Sequence, residues 1–362
     1  MARLEVIDHT TIYRNPSPSH SSEYVSFPAI HALPDNTLLC LCRHGSARES
    51  KDGVATVHRS TDGGLSWSRV GSLPELGGVP QFAGGFGVTS DGEALAWAGS
   101  PSGENGRRTY FTRSRDGVEW SAPTEIDTSP YPRFLLCGNL ATLPDGTLVL
   151  AGEAGDGEKF GVPQDHWAGL STRSTDGGRS WDAVKAAHVS KDPFYMDLRI
   201  TGLADGRVLG VYWTHDMTND RGMNVHSTFS ADAGRTWTEP RDAGFWGQVT
   251  DVCALKSGRV IAVTNHRREP LGIRAVLSDN DGATFDEANH LEVWGVEPAR
   301  TRSAPVLAPK RDVVEHVMES YHFFTFGTPS VTQLSDGTIV MAFYVTEESV
   351  TYVRCCRVVE RD

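Results

Sequence analysis

The sequence predicts an all-β protein: one six-bladed β-propeller domain spanning residues 1–362, with four antiparallel strands per blade. Two interleaved repeats carry the prediction. A third observation agrees with them: 37 glycines and 19 prolines are dispersed along the chain rather than gathered into a linker, as many short strands require.

The first repeat is an apolar run, a tight turn and a second apolar run. It reads AIHALPDNTLLCLC, FGVTSDGEALAWA, LATLPDGTLVLAG, ITGLADGRVLGVYW, VCALKSGRVIAVT and VTQLSDGTIVMAFY. The turn falls at Asn36, Gly92, Gly146, Gly206, Gly258 and Gly337, the last interval being lengthened by an insertion near 297–325. Asn and Gly tolerate the positive φ that a tight hairpin demands, so each copy signals two paired strands.

The second repeat is STDGGLSW at 60–67, SRDGVEW at 114–120, STDGGRSW at 174–181, SADAGRTW at 230–237 and SDNDGATF at 278–285. Its carboxylate can accept backbone N–H groups across a turn, its Gly permits the reversal, and its aromatic can pack between sheets. These acids are therefore expected to be structural staples. Each copy follows its hairpin by enough residues for two more strands, which completes a four-stranded blade. The sixth unit lacks this motif and room for a fourth strand. Residues 4–13 are expected to supply it and close the ring.

A formal charge of −12 repels phosphate backbones, and no basic run stands out, so no nucleic-acid partner is expected. No segment approaches the ~18 apolar residues of a membrane span, so no membrane partner is expected either. The start, MARLEVIDHTTIYRN, carries no secretory pattern, and the expectation is a cytoplasmic protein. Cys40, Cys42, Cys355 and Cys356 resemble neither a disulfide framework nor a zinc site and read as buried thiols. No metal or cofactor is expected. The oligomeric state is open.

Strand order puts the loops between second and third strands, and the connectors between blades, on one face of the ring. The stapled turns take the other face, so chemistry is expected among the loops. The first unit offers Ser26, Arg43, His44, Arg48, Glu49 and Asp52 there, and the second Gln81. The third offers Arg133, Asn139, Glu153, Asp156, Asp165 and His166. The fourth offers Tyr195, Asp197, Arg199, His215 and Asp216. The fifth offers Gln248, Asp251, His266, Arg267 and Arg268, and the sixth Arg300, Arg302, His322 and Thr328. Acids, histidines and arginines converging on one pocket suit acid–base work on an anionic sugar.

The second repeat resembles the Asp box of sialidase-like (BNR-repeat) propellers, and the resemblance covers essentially the whole chain. It implies a carbohydrate-active protein with an oligosaccharide or glycoside partner, anionic in character. Retaining sialidases use a tyrosine nucleophile with a glutamate, an aspartate acid/base and three arginines. Here Ser26 stands in the place of the first arginine and Thr328 in that of the tyrosine. Asp197 takes the glutamate's place, and Arg43 and Asp52 compare with the blade-1 arginine and aspartate. Arg267 and Arg268 are candidates for a further arginine. The resemblance thus implies an altered site rather than an ordinary sialidase.

The expected catalytic set is Asp52 as acid, with Asp197 or His215 activating water, as in an inverting hydrolase. The expected substrate-binding set is Arg43, His44, Arg48, Tyr195, Arg199, Asp251, His266 and Arg267. A polysaccharide lyase on uronic-acid-linked oligosaccharides, using His166, His215 or His266, is the first alternative. A non-enzymatic sugar-binding propeller is the second.

Overall fold

The computed structural model describes residues 2–48, 50–75, 81–99, 108–132, 134–136, 138–155, 157–158, 161–296 and 324–361; of 82, 83 and 136 it describes the backbone alone. Glu49, Arg133, Asp156, Arg300, Arg302 and His322 lie outside the described residues.

The regular structure of the described residues is almost all strand, arranged as a propeller. Hydrogen bonding gives five sheets. Two have four strands, two have five, and one has eight. The expected six equal, separate sheets are therefore not what pairing produces. Four blade-sized sheets stand alone, and the first and last units are merged. The merger rests on one parallel bridge, between Tyr24 and Thr351. It arises where the chain ends meet: Arg3–Tyr13 pairs antiparallel along Val350–Arg361, and the chain then enters Tyr24–Ala32 beside that strand.

The hairpins form where the turn residues allow them. Asn36 has φ +67°, and Gly92, Gly146, Gly206, Gly258 and Gly337 lie between +82° and +91°. The second strands Leu38–Gly45, Val208–Asp216, Val260–His266 and Ile339–Glu347 are buried over nearly their whole length. That is why they read as continuous apolar runs rather than alternating ones: neighbouring sheets cover both their faces.

The core consequently lies in seams between successive units. Ile261 and Val263 of the fifth unit meet Ile339, Met341 and Phe343 of the sixth. Leu38, Cys40 and Cys42 of the first meet Val340, Ala342 and Cys355 of the sixth. Burying each large side chain contributes ~1.5–3 kcal/mol relative to exposure. Cys40, Cys42, Cys355 and Cys356 are buried free thiols.

The stapled turns match their expected mechanism. Asp62 Oδ1 accepts N–H bonds from Leu65 (3.1 Å) and Ser66 (3.0 Å), and Asp176 and Asp232 repeat the pattern. Hydrogen bonds led by the Ser66 hydroxyl hold the Asp62 carboxyl down at about 2. Asn280 serves in the fifth copy through one acceptor, its Oδ1 taking the Thr284 N–H at 3.0 Å. The aromatics Trp67, Trp120, Trp181, Trp237 and Phe285 each pack at a different seam.

At the axis the innermost strands are tied together. Asp251 Oδ2 accepts the Val331 N–H (2.9 Å), and Asn139 Nδ2 donates to Ser330 Oγ (3.1 Å) and the Ile30 carbonyl (3.3 Å). Burial pushes the Asp251 carboxyl upward in pKa, opposed by the nearby Arg199 charge.

Candidate functional site

Three of the innermost strands share a local device, a bulge close to their first residues. Pairing skips two residues between Ser26 and Ala29, between Met196 and Arg199, and between Gly327 and Ser330. Phe27, Asp197 and Thr328 sit in these bulges with φ of +51°, +53° and +46°. A bulge bends its strand and redirects a side chain, and bulges are over-represented beside active sites. Positive φ at a non-glycine costs of order 1 kcal/mol or more, so the surroundings must hold it. Pro28 and Pro329 are the second skipped residues of two of the bulges; they lack the N–H that a regular ladder would use.

Two arginines far apart in sequence meet at one ring. Arg267 Cζ lies 3.5 Å from the Phe324 centroid, and Arg48 Cζ lies 5.7 Å from it and 5.3 Å from Phe27. Arg267 is buried and held by Gln248 Oε1 and by the Phe326 carbonyl at 2.5 Å. Phe324 also belongs to an apolar cluster with Phe194, Met196 and Trp213, edged by Trp167, Met217 and Val249. This cluster links the arginines to the Asp197 bulge.

Around Asp197 the groups are polar and tightly bonded. Glu153 Oε2 accepts the Asp197 backbone N–H at 2.6 Å and the Trp167 indole N–H at 2.9 Å. Asp197 Oδ1 in turn accepts from Arg199 Nε at 3.2 Å. On the next strand, His215 is buried, and its Nε2 lies 3.0 Å from Asp220 Oδ1. Chemically, the arrangement offers fixed cations, acidic groups and an aromatic floor. Among the described residues no group of three or more His, Cys, Asp or Glu is placed to hold a metal.

The BNR repeat-like domain family matches residues 88–341, well over half of the sequence. The chain belongs to that family. Among curated proteins, this BNR repeat-like chain is 29% identical over 230 residues to a sialidase of Bacteroides fragilis (strain YCH46). The match takes in 54% of the chain and only 39% of that relative's length. A solved protein of unknown function from Dyadobacter fermentans DSM 18053 superposes with TM-score 0.73 at 17% identity, covering 99% of both chains. A Hadza microbial sialidase gives 0.68 at 17% identity, over 96% of this chain and 68% of that one. A Penicillium chrysogenum α-L-arabinanase complexed with arabinobiose gives 0.67 at 14% identity, over 98% of both. At such identities the structural likeness speaks for the fold.

Within this BNR repeat-like chain, several residues expected at the site sit elsewhere. His44 stacks on His58 (5.5 Å) and under Tyr13 (4.6 Å), inside the blade. Tyr195 packs sideways against Tyr212 (5.2 Å) and His226 (5.7 Å). His266 is pinned by the carbonyls of Arg268 (2.9 Å) and Pro270 (3.2 Å) and by Arg274 (2.9 Å), shaping its own hairpin. Side chains alternate across a strand, so neighbours of channel-facing residues turn into the sheet's flank.

Three more are engaged inside the protein. Arg43 is fully buried and donates to the carbonyls of Ala47 (2.9 Å) and Ser50 (2.6 Å), bracing its own loop. Asp251 belongs to the axial network. Arg199 spans from Asp197 to the Pro329 carbonyl at 3.3 Å.

Asp52 is exposed, and hydrogen bonds led by the Ser50 hydroxyl, then the Ser46 N–H, hold its carboxyl down at about 2. A general acid works best with a pKa near the working pH, so in this conformation Asp52 is suited to charge rather than to proton donation. His166 lies on the loop before Trp167, with Nδ1 2.8 Å from the Gln164 carbonyl. Phe324, Trp167 and Asp220 were missed. Asp220, five residues after His215 across a turn, was the one with a readable signal.

Proposed function

We propose that this chain is a glycoside hydrolase acting on an acidic sugar, through a site altered from that of the ordinary retaining sialidases. Its scaffold is read as six repeat units, the eight-stranded sheet supplying two of them. The convergence of Arg48 and Arg267 on Phe324 carries the proposal. Two guanidinium groups beside one ring, one of them anchored by Gln248, suit a planar carboxylate on a sugar whose apolar face meets an aromatic. Asp197 is the favoured acid–base group because it stands at a positive-φ bulge whose backbone Glu153 holds and whose carboxylate Arg199 meets. The pair His215–Asp220 is the second proton-handling element. The family match and the sialidase and arabinanase neighbours support a carbohydrate substrate.

The test is a matched panel of 4-methylumbelliferyl glycosides, glucuronide against glucoside and galacturonide against galactoside. The acidic member of at least one pair should be cleaved ~10²-fold faster. Arg267→Ala should remove most of that preference, since losing one partner of a buried charged contact costs ~2–5 kcal/mol. Equal cleavage of neutral partners, or no cleavage of any acidic glycoside, would overturn the proposal. An unsaturated, ultraviolet-absorbing product from a uronate oligosaccharide would assign elimination instead.

A further inference from the structure

We infer that Glu153 is a positioning residue that clamps Asp197 in its productive orientation; the inference rests on Asp197 acting on substrate as proposed above. Glu153 lies near the end of the second strand of the third unit, Leu148–Gly155, whereas Asp197 lies in the innermost strand of the fourth, Phe194–Gly202. The contact therefore crosses a seam between units, and no local turn chemistry accounts for it.

The bulge at Asp197 turns its N–H out of the strand ladder, where pairing skips from Met196 to Arg199. An N–H turned away in a partly buried place needs an acceptor. Glu153 Oε2 supplies it at 2.6 Å, and the same oxygen takes the Trp167 indole at 2.9 Å. The indole fixes the carboxylate, the carboxylate fixes the backbone, and the backbone fixes where the Asp197 side chain leaves the strand. Arg199 holds the other end, at Asp197 Oδ1. Phe27 and Thr328 occupy equivalent bulges, but there the next residue is proline. At position 197 the following residue is Leu198, and the clamp comes instead from the neighbouring unit.

Both donors meet one oxygen. An amide carbonyl in its place accepts the same two bonds, whereas a methyl accepts neither. The test compares Glu153→Gln with Glu153→Ala in the full chain by two readouts. The first is hydrogen exchange of the Asp197 amide and the Trp167 indole by NMR. The second is steady-state turnover of 4-methylumbelliferyl β-D-glucuronide.

Glu153→Gln should keep both N–H groups protected and kcat within about threefold. Glu153→Ala should quicken exchange at both N–H groups by roughly tenfold or more. It should also lower kcat by ~10²-fold with KM within about threefold, the scale of a small misplacement of a reacting group. A packing role alone would lower the melting temperature of Glu153→Ala and leave kcat unchanged; that result overturns the inference. So does unchanged exchange at Asp197. If the wild-type chain ignores the glucuronide while exchange responds as expected, the clamp stands and the choice of substrate fails.

Discussion

At the scale of single residues, the histidines divide by what surrounds them. His44 and His58 are stacked, buried and held neutral. Burial, with like charge from His58 and Arg69, brings His44 to about 3, and burial with Arg69 brings His58 to about 4. The groups facing the pair are Tyr13, whose hydroxyl donates to Glu23 (2.7 Å), Arg69 and the Thr56 hydroxyl. The folded state thus binds fewer protons than the unfolded chain below about pH 6.5. Their contribution is complete above that pH and declines as pH falls toward 4 and 3. Between pH 7 and 5 each histidine removes up to about 2 kcal/mol. His31 and His266, both brought to about 4, carry the same sign. Urea unfolding should show clear loss of stability from pH 7 to 5, and a His44→Gln/His58→Gln double variant should lose distinctly less. An equal loss in both proteins would mean that the stack does not govern this limb.

At the scale of elements, closure of the ring depends on one strand from the other end of the chain. Arg3–Tyr13 pairs along Val350–Arg361 with register shifts after Val6 and Thr11. Leu4 and Val6 pack on the seam of the fifth and sixth units, and Ile12 on that of the sixth and first. Deleting residues 2–13 should strip that packing and expose an unpaired edge, inviting association. Melting should drop by about 2 °C for each kcal/mol of lost contact, with aggregation on heating. Retention of the full melting temperature by the shortened chain would show that the strand closes nothing.

At the scale of the molecule, the scaffold and the site follow different rules. The scaffold matches the family, while Ser26 and Thr328 stand where the resemblance puts an arginine and a nucleophilic tyrosine. Ser26 is wholly buried, opposite Arg43 in the sheet, so it offers no charge to a sialic acid carboxylate. The missing contact alone amounts to ~2–5 kcal/mol of binding. Release of 4-methylumbelliferone from its sialoside should therefore be negligible. Robust release would mean that the strands have been matched wrongly to the family.

The sequence by itself determined the repeat, the hairpins, the stapled turns and the closing strand. Each depends on local chemistry at a few positions, such as the glycine at 206 or the Asp62 turn, or on the absence of a sixth motif. It also placed Arg48, Arg267, Asp197 and His215 on the loop face, because strand order fixes which face a loop occupies. Only the tertiary structure decided which residues meet there. Bulges at 27, 197 and 328 each insert one extra residue into their strand, a change of side-chain phase that no repeat announces. His44, Tyr195 and His266, adjacent in sequence to useful positions, turn into the sheets' flanks because side chains alternate along a strand. Phe324 and Glu153 gain their meaning across seams, from partners more than forty residues away. Merging of the first and last units is likewise a product of where the two chain ends meet, a contact between residues at opposite ends of the sequence.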